Sequence, residues 1–295
     1  MLLKNARVLN ENFDFQSSDI LVSDGKIEAI FDSSNKDSED TINLDGLTVL
    51  PGLIDIHTHG AASYDTMDAT FEAINTISSF MAEHGVTTFL PTTMTESYES
   101  IETAMANIKA SIENGLSGAS LAGIHMEGPY FSEKYKGAQN EKYLKSSSIE
   151  EVTRLNEKCG NLIKIISIAP EKEGSLEFIK EVSKKGIVIS LAHTSSDYDT
   201  AIKAIDNGAT HVTHLFNAMP PFNHRQPSVA GAAFDRNLSV ELICDGIHIH
   251  PAVIRTVHKI VRPDKLVLIS DSLRATGLKD GTYEFGGQTI NVLGG

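Results

Sequence analysis

Eight short apolar or β-branched runs punctuate the chain, at 53–57, 86–90, 121–126, 163–169, 187–192, 210–215, 239–244 and 265–270. Helical character fills most of the gaps, for example at 70–84, 97–115, 175–185, 198–207 and 251–261. Parallel strands need crossover connections, so strands alternating with helices predict a parallel sheet. Eight such units predict an α/β fold, a TIM-like (β/α)8 barrel over residues 49–275. A doubly wound open sheet is the competing architecture. The ends of the runs decide between the two. Most terminate in groups able to hold metal, move protons or bind substrate: His57 and His59, Thr92-Thr93, Glu127, Glu171, His193, His214 with Asn217, Asp245 with His248, and Asp271. An open sheet strings its strand ends along a line. A barrel gathers them on one rim, where residues as distant as His57 and Asp271 can share a site.

His57 and His59 close the run Leu53-Ile54-Asp55-Ile56-His57-Thr58-His59-Gly60. Residues two apart in a strand face the same side, so both imidazoles aim at one point beyond the strand end. With Glu127, His193 and His214 they make an N/O donor set suited to zinc or ferrous iron rather than calcium or magnesium. Five donors exceed the three protein ligands usual for one catalytic zinc. If Glu127 bridges, His57 and His59 can hold one ion while His193 and His214 hold another, giving one or two divalent metal ions. Asp271 ends the last run, where a carboxylate can take a proton from activated water and pass it to a leaving amine. Among the remaining histidines, His125 shares a face with Glu127 and is expected behind the ligands. His211, three before His214, is expected to point elsewhere. His84 and His258 read as ordinary surface or core groups, and His224 and His250 as loop residues. Asp55 either orients ligands or packs.

Residues 1–48 read as short strands with a hairpin at Asp24-Gly25 and a polar loop at 33–40. The segment 276–295 also reads as β structure and is expected to pair with the first, giving a small, incomplete β-sandwich domain from both termini. No eighth helix follows the last run, so the barrel reads as truncated at its C-terminal end. A net charge of −14 argues against nucleic acid or anionic membrane as partner. No apolar run reaches the ~18 residues of a membrane span and no leader pattern opens the chain. Two cysteines outside any CxxC pattern, Cys159 and Cys244, read as reduced buried thiols, which suits the cytoplasm.

The stretch Pro51-Gly52-Leu53-Ile54-Asp55-Ile56-His57-Thr58-His59-Gly60 resembles the opening motif of the amidohydrolase superfamily. His125-Met126-Glu127-Gly128-Pro129-Tyr130, Ala192-His193-Thr194, Thr213-His214-Leu215-Phe216-Asn217-Ala218-Met219 and Asp245-Gly246-Ile247-His248 narrow the resemblance to the N-acetylglucosamine-6-phosphate deacetylase family. It implies metal-dependent removal of acetate from the 2-amino nitrogen of a sugar phosphate, with Asp271 as acid/base. It implies Glu127, His193 and His214 as principal metal ligands, and His57 and His59 as a second-metal pair. Ala138, Asn217, Ala218 and Arg225 match substrate-holding positions, and His248 matches a residue beside the acetyl carbonyl. The resemblance also implies a homodimer, with Arg225 reaching the partner's site. Where this chain has Gln139, some relatives carry His. A cyclic-amide hydrolase usually bridges its metals with a modified lysine on the fourth strand, and Lys164 stands at the wrong end of that strand. Deacetylation of the galactosamine isomer, or sugar-phosphate binding without turnover, are the remaining alternatives.

Overall fold

The computed structural model describes residues 1–32 and 40–294, so all but one residue of the expected polar loop, 33–39, lies outside the described residues. Its contacts divide into two compact units, 1–52 and 53–295. In the first, strand Leu2–Leu9 pairs antiparallel with Phe15–Ser23, which pairs antiparallel with Lys26–Phe31. The hairpin turns at Asp24 and Gly25, both at positive φ (50° and 71°), the geometry that matches strand twist and favours Asp-Gly. Leu2–Leu9 also pairs in parallel with Thr41–Asn43 and Thr48–Val49. The unit is thus one mixed sheet, not a purely antiparallel one and not a sandwich, with Ala6, Val8 and Ile20 as its core.

The second unit carries the eight expected strands: β1 (Leu53–Thr58), β2 (Val86–Pro91), β3 (Ile124–Glu127), β4 (Ile163–Ile168), β5 (Val188–Leu191), β6 (Ala209–Val212), β7 (Ser239–Ile243) and β8 (Leu266–Ile269). All their pairings are parallel, β1 with β2 and β3 through β8 in sequence order. The third run is split: Ser120–Leu121 pairs with β2, and Gly123 at φ +147° separates it from β3. Backbone bridges join the two sheets at both seams, Thr92 to His125 and Thr58 to Ser272. Asp271 N–H donates to His57 O at 3.0 Å and Thr93 N–H to His125 O at 3.0 Å.

Seven helices cross between these strands: α1 (Phe71–Glu83), α2 (Tyr98–Asn114), α3 (Ile149–Lys158), α4 (Ser175–Ser183), α5 (Tyr198–Asp206), α6 (Ser228–Asp235) and α7 (Pro251–Ile260). Thr70, Ser97, Ser148 and Asp197 cap α1, α2, α3 and α5 by accepting a first-turn N–H, which satisfies donors the helix cannot. Apolar faces such as Ile101, Met105 and Ile108 of α2 and Phe178, Ile179 and Val182 of α4 pack on Ile124, Met126, Ile166 and Ile168. Each such side chain contributes about 1.5–3 kcal/mol by leaving water.

Residues 281–292 do not join the N-terminal sheet as expected. Gly281–Phe285 and Gln288–Val292 pair with each other, and the contacts place this hairpin in the second unit. Gln288 donates to Ala138 O at 2.7 Å, and Phe285 packs edge-on to His59. Phe285 is buried where the hairpin meets the strand ends. Both cysteines are free, but only Cys159 is buried; Cys244 is exposed where β7 has already ended. No helix among the described residues is long and apolar enough to cross a membrane.

Candidate metal centre and active site

The five expected ligands and Asp271 converge at the C-terminal ends of the parallel strands. His57, His59, Glu127, His193 and His214 are all buried. They form two groups able to hold an ion, His57, His59 and Asp271, and Glu127, His193 and His214. Asp271 thus stands with the first pair as a possible ligand, a role the sequence reading did not give it. Glu127 lies against both groups. Its Oε1 is 3.4 Å from His57 Nε2, 3.3 Å from His193 Nε2 and 3.2 Å from His214 Nε2, and its Oε2 is 3.3 Å from His59 Nε2. Asp271 Oδ1 is 3.3 Å from both His57 Nε2 and His59 Nε2.

These separations test the fit to a cation. At metal–ligand distances of roughly 2.0–2.2 Å a tetrahedral shell has edges of about 3.3–3.6 Å. The Nε2 atoms of His193 and His214 stand 3.1 Å apart, and His57 Nε2 is buried with no hydrogen-bond partner. Facing lone pairs and an orphaned buried nitrogen are costly unless a cation or proton lies among them. The far side of three of the four rings agrees, while His214 Nδ1 is buried without a hydrogen-bond partner. Nδ1 of His57 donates to Glu241 Oε2 (2.9 Å), that of His59 faces Thr92 O (3.3 Å) and that of His193 faces Tyr135 O (3.0 Å). With Nδ1–H so engaged, Nε2 keeps its lone pair for the centre. The residues therefore fit one or two divalent ions.

Charge reinforces the point. Burial would raise Glu127, but the surrounding imidazoles, His57 foremost, hold it well below the carboxylate range. Asp271 is likewise lowered, burial being outweighed by His57 and His59. Burial would lower His59, yet its bonds to the Asp271 and Glu127 carboxylates push it up to about 9. His125 shows the opposite balance: burial and the neighbouring His57 lower it to about 3. It sits behind the ligands as expected, Nδ1 on Ile56 O and Nε2 on Ser167 Oγ. Although His57, His125 and Glu241 also lie within ligand distance of one another, both nitrogens of His125 are thereby engaged within the protein.

Local backbone aims these groups. His193, His214 and Asp271 all adopt positive φ (42°, 30° and 49°) just past their strands, a conformation kept by non-glycine residues mostly where surrounding structure enforces it. Glu171, expected as a reactive strand end, instead accepts from Thr194 Oγ1, Ser195 N and Ser195 Oγ, fixing the loop after His193. Asp55 accepts from His57 N and Ser270 Oγ, so it clamps β1 to the segment before Asp271.

Ala138, Asn217, Ala218 and His248 line the same cavity of about 320 Å³ as Glu127, His193, His214 and Asp271. Ile243, Leu273 and Phe285 form its apolar wall. His248 is half exposed and its Nδ1 donates to Asp245 Oδ2 at 2.6 Å. Arg225 is not brought to this cavity: it is exposed and lines a separate groove with Lys134, Tyr135 and Asn223.

Two contributors carry roles that the sequence did not assign them. Gln139 is buried, donates to Glu127 Oε2 at 2.6 Å and accepts from Thr95 N at 2.8 Å. Glu241 is buried on β7 and bonded to His57, His211 and the backbone of His214. A glutamate inside the apolar run Val240-Glu241-Leu242-Ile243 was the available signal, since such residues are almost never fully buried unless paired. His211 does point away from the ion donors, as expected, toward Glu241.

The pattern described as the amidohydrolase family matches residues 48–282. The chain is 41% identical over 300 residues to an N-acetylglucosamine-6-phosphate deacetylase of Bacillus subtilis (strain 168), covering 100% of this chain and 76% of the relative. It is 31% identical over 295 residues to an N-acetylgalactosamine-6-phosphate deacetylase of Escherichia coli O157:H7, covering 100% and 77%. A solved structure of a mutant N-acetyl-D-glucosamine-6-phosphate deacetylase from Mycobacterium smegmatis, in complex with N-acetyl-D-glucosamine-6-phosphate, superposes with a TM-score of 0.92 at 32% identity, covering 100% of this chain and 76% of that one.

Proposed function

The chain belongs to the amidohydrolase family, and we propose that it hydrolyses the acetamide of N-acetylglucosamine 6-phosphate to glucosamine 6-phosphate and acetate. The observation that carries this reading is the pair of three-donor groups, His57/His59/Asp271 and Glu127/His193/His214, meeting in one cavity. We read the two parallel sheets, bridged at both seams, as one (β/α)8 barrel whose rim is this site. One or two divalent cations of the zinc or ferrous type would supply Lewis acidity and an acidified water when bound.

The chain's own residues divide the remaining work. Asp271 rests as a carboxylate because His57 and His59 outweigh its burial. It can therefore accept a proton from the attacking water and return it to the departing amine nitrogen. His248 gives its Nδ1–H to Asp245, so it can donate from Nε2 to the developing oxyanion only as an imidazolium. The Asp245 carboxylate is the counter-ion for that state. Asn217, Ala218 and the Ala138 backbone line the cavity where the sugar phosphate would sit. Arg225 is exposed and does not line this cavity, which supports reading it as serving the site of a second copy. An apolar groove of Phe216, Met219, Phe222 and Ile249 supports a homodimer, and two free thiols support a cytoplasmic setting.

Acetate release from both 6-phosphate isomers, measured with metal content on one preparation, tests the proposal. Preference for the glucosamine isomer supports it. Preference for the galactosamine isomer would move the chain toward the Escherichia coli relative. Bound metal without acetate release would favour a sugar-phosphate binding protein.

A further inference from the structure

We propose that Glu241 is a positioning residue that couples the two ion sites by holding one ligand of each. The inference rests on the metal-centre reading above. Glu241 is fully buried on β7 and is not itself among the residues that line the cavity. One oxygen, Oε2, accepts from His57 Nδ1 at 2.9 Å and from the backbone N–H of His214 at 3.1 Å. The other, Oε1, bonds His211 Nε2 at 3.1 Å. His57 belongs to one donor group and His214 to the other.

Each arm has a separate consequence. A carboxylate only accepts, so His57 must carry its hydrogen on Nδ1 and present Nε2 to the centre. That Nε2 is the orphaned nitrogen flanked by Glu127 and Asp271 oxygens. The second arm holds the turn after β6. His214 stands at φ 30°, Phe216 at 78° and Ala218 at 51°, a run that local propensity does not support. Glu241 pins it twice, through Oε2 to His214 N and through its own carbonyl to Leu215 N at 2.9 Å. Loss of the carboxylate therefore loosens the ring of one donor group and the backbone of the other.

The experiment is a chelator titration of zinc-loaded wild type, Glu241→Gln, Glu241→Asp and His211→Asn, with acetate release read on the same samples. Removing an outer hydrogen-bond partner of a metal ligand typically costs 10–100-fold in affinity, so Glu241→Gln is expected to surrender zinc at about 10-fold or lower chelator concentration. Turnover should fall as well, but the chelator midpoint is the deciding readout, because the pinned turn also carries Asn217 and Ala218 of the cavity lining. His211→Asn removes the arm that meets no ligand and should leave the chelator midpoint within about threefold of wild type. If Glu241→Gln yields no folded protein, Glu241→Asp keeps the charge, shortens the reach and is expected to shift the midpoint in the same direction. Midpoints like wild type in both Glu241 variants would overturn the proposal, as would a shift in His211→Asn equal to that in Glu241→Gln. Wild type that retains zinc and releases acetate upholds the functional reading whatever the Glu241 variants do; wild type that retains none refutes both.

Discussion

Gly128, directly after Glu127, offers a quantitative test of how the centre is held. It adopts φ +91°, and a Cβ there would lie 2.1 Å from Thr95 Oγ1 and 3.1 Å from Thr95 Cα. Gly128→Ala therefore carries two costs. The left-handed backbone costs an L-residue about 1–2 kcal/mol. Forcing a methyl into closed packing costs about 1–3 kcal/mol more. Thr95 is fully buried, so it must move as a unit rather than swing its side chain into solvent. Its N–H donates to Gln139 Oε1, and Gln139 donates to Glu127 Oε2. The push is thus relayed to the carboxylate shared by both donor groups. Urea denaturation should show a loss of about 2–5 kcal/mol, and the zinc content of the purified variant should fall. Adding Thr95→Ala to the Gly128→Ala background should recover the steric share and leave the backbone share. A loss below about 1 kcal/mol with full zinc content would refute the reasoning, because no less than the backbone cost should remain.

Asp271→Asn should lower acetate release by several orders of magnitude; near-normal turnover would remove Asp271 from the proton transfer. In cation-free protein His59 is raised from 6.5 to about 9, so the stabilisation it contributes is complete below about pH 6.5 and is lost as pH rises through about 9. At 1.36 kcal/mol per pKa unit that is about 3 kcal/mol, visible as a falling melting temperature of chelator-treated protein between those values; a flat profile would contradict it. The zinc-loaded protein, its imidazoles already deprotonated, should not follow that decline. Arg225→Ala should raise KM for the phosphorylated sugar far more than for the unphosphorylated one, and mixing it with Asp271→Asn protein should restore activity if Arg225 serves a second copy. Absence of recovery on mixing would assign Arg225 to its own chain.

The convergence of the candidate ligands was legible because strand periodicity and strand ends are local properties. His57 and His59 share a face whatever surrounds them, and a carboxylate or imidazole closing an apolar run stands out in one dimension. The hairpin at Asp24-Gly25 was legible for the same reason. What escaped was set by distance. Nothing near Gln139 in sequence says that it will reach Glu127, and Glu241 is defined by partners on β1 and β6. The pairing of the terminal segment was not legible because its alternating pattern is compatible with any sheet, and its contact with His59 through Phe285 is distant in sequence. Arg225 was read as phosphate-binding from a motif position; its direction depends on a loop whose path carries no periodic signal.

The balance of charge around Glu127 explains why one cluster can be both a metal centre and a stable core. Glu127, Asp271 and Glu241 are three carboxylates held in their charged form within reach of the same imidazoles. Buried anions of that density are tolerable only with compensating positive charge. Without cations the protein must supply it as protons, which is why His57, His59 and His214 are all raised despite burial. Bound cations would displace those protons and supply the compensating charge in their place.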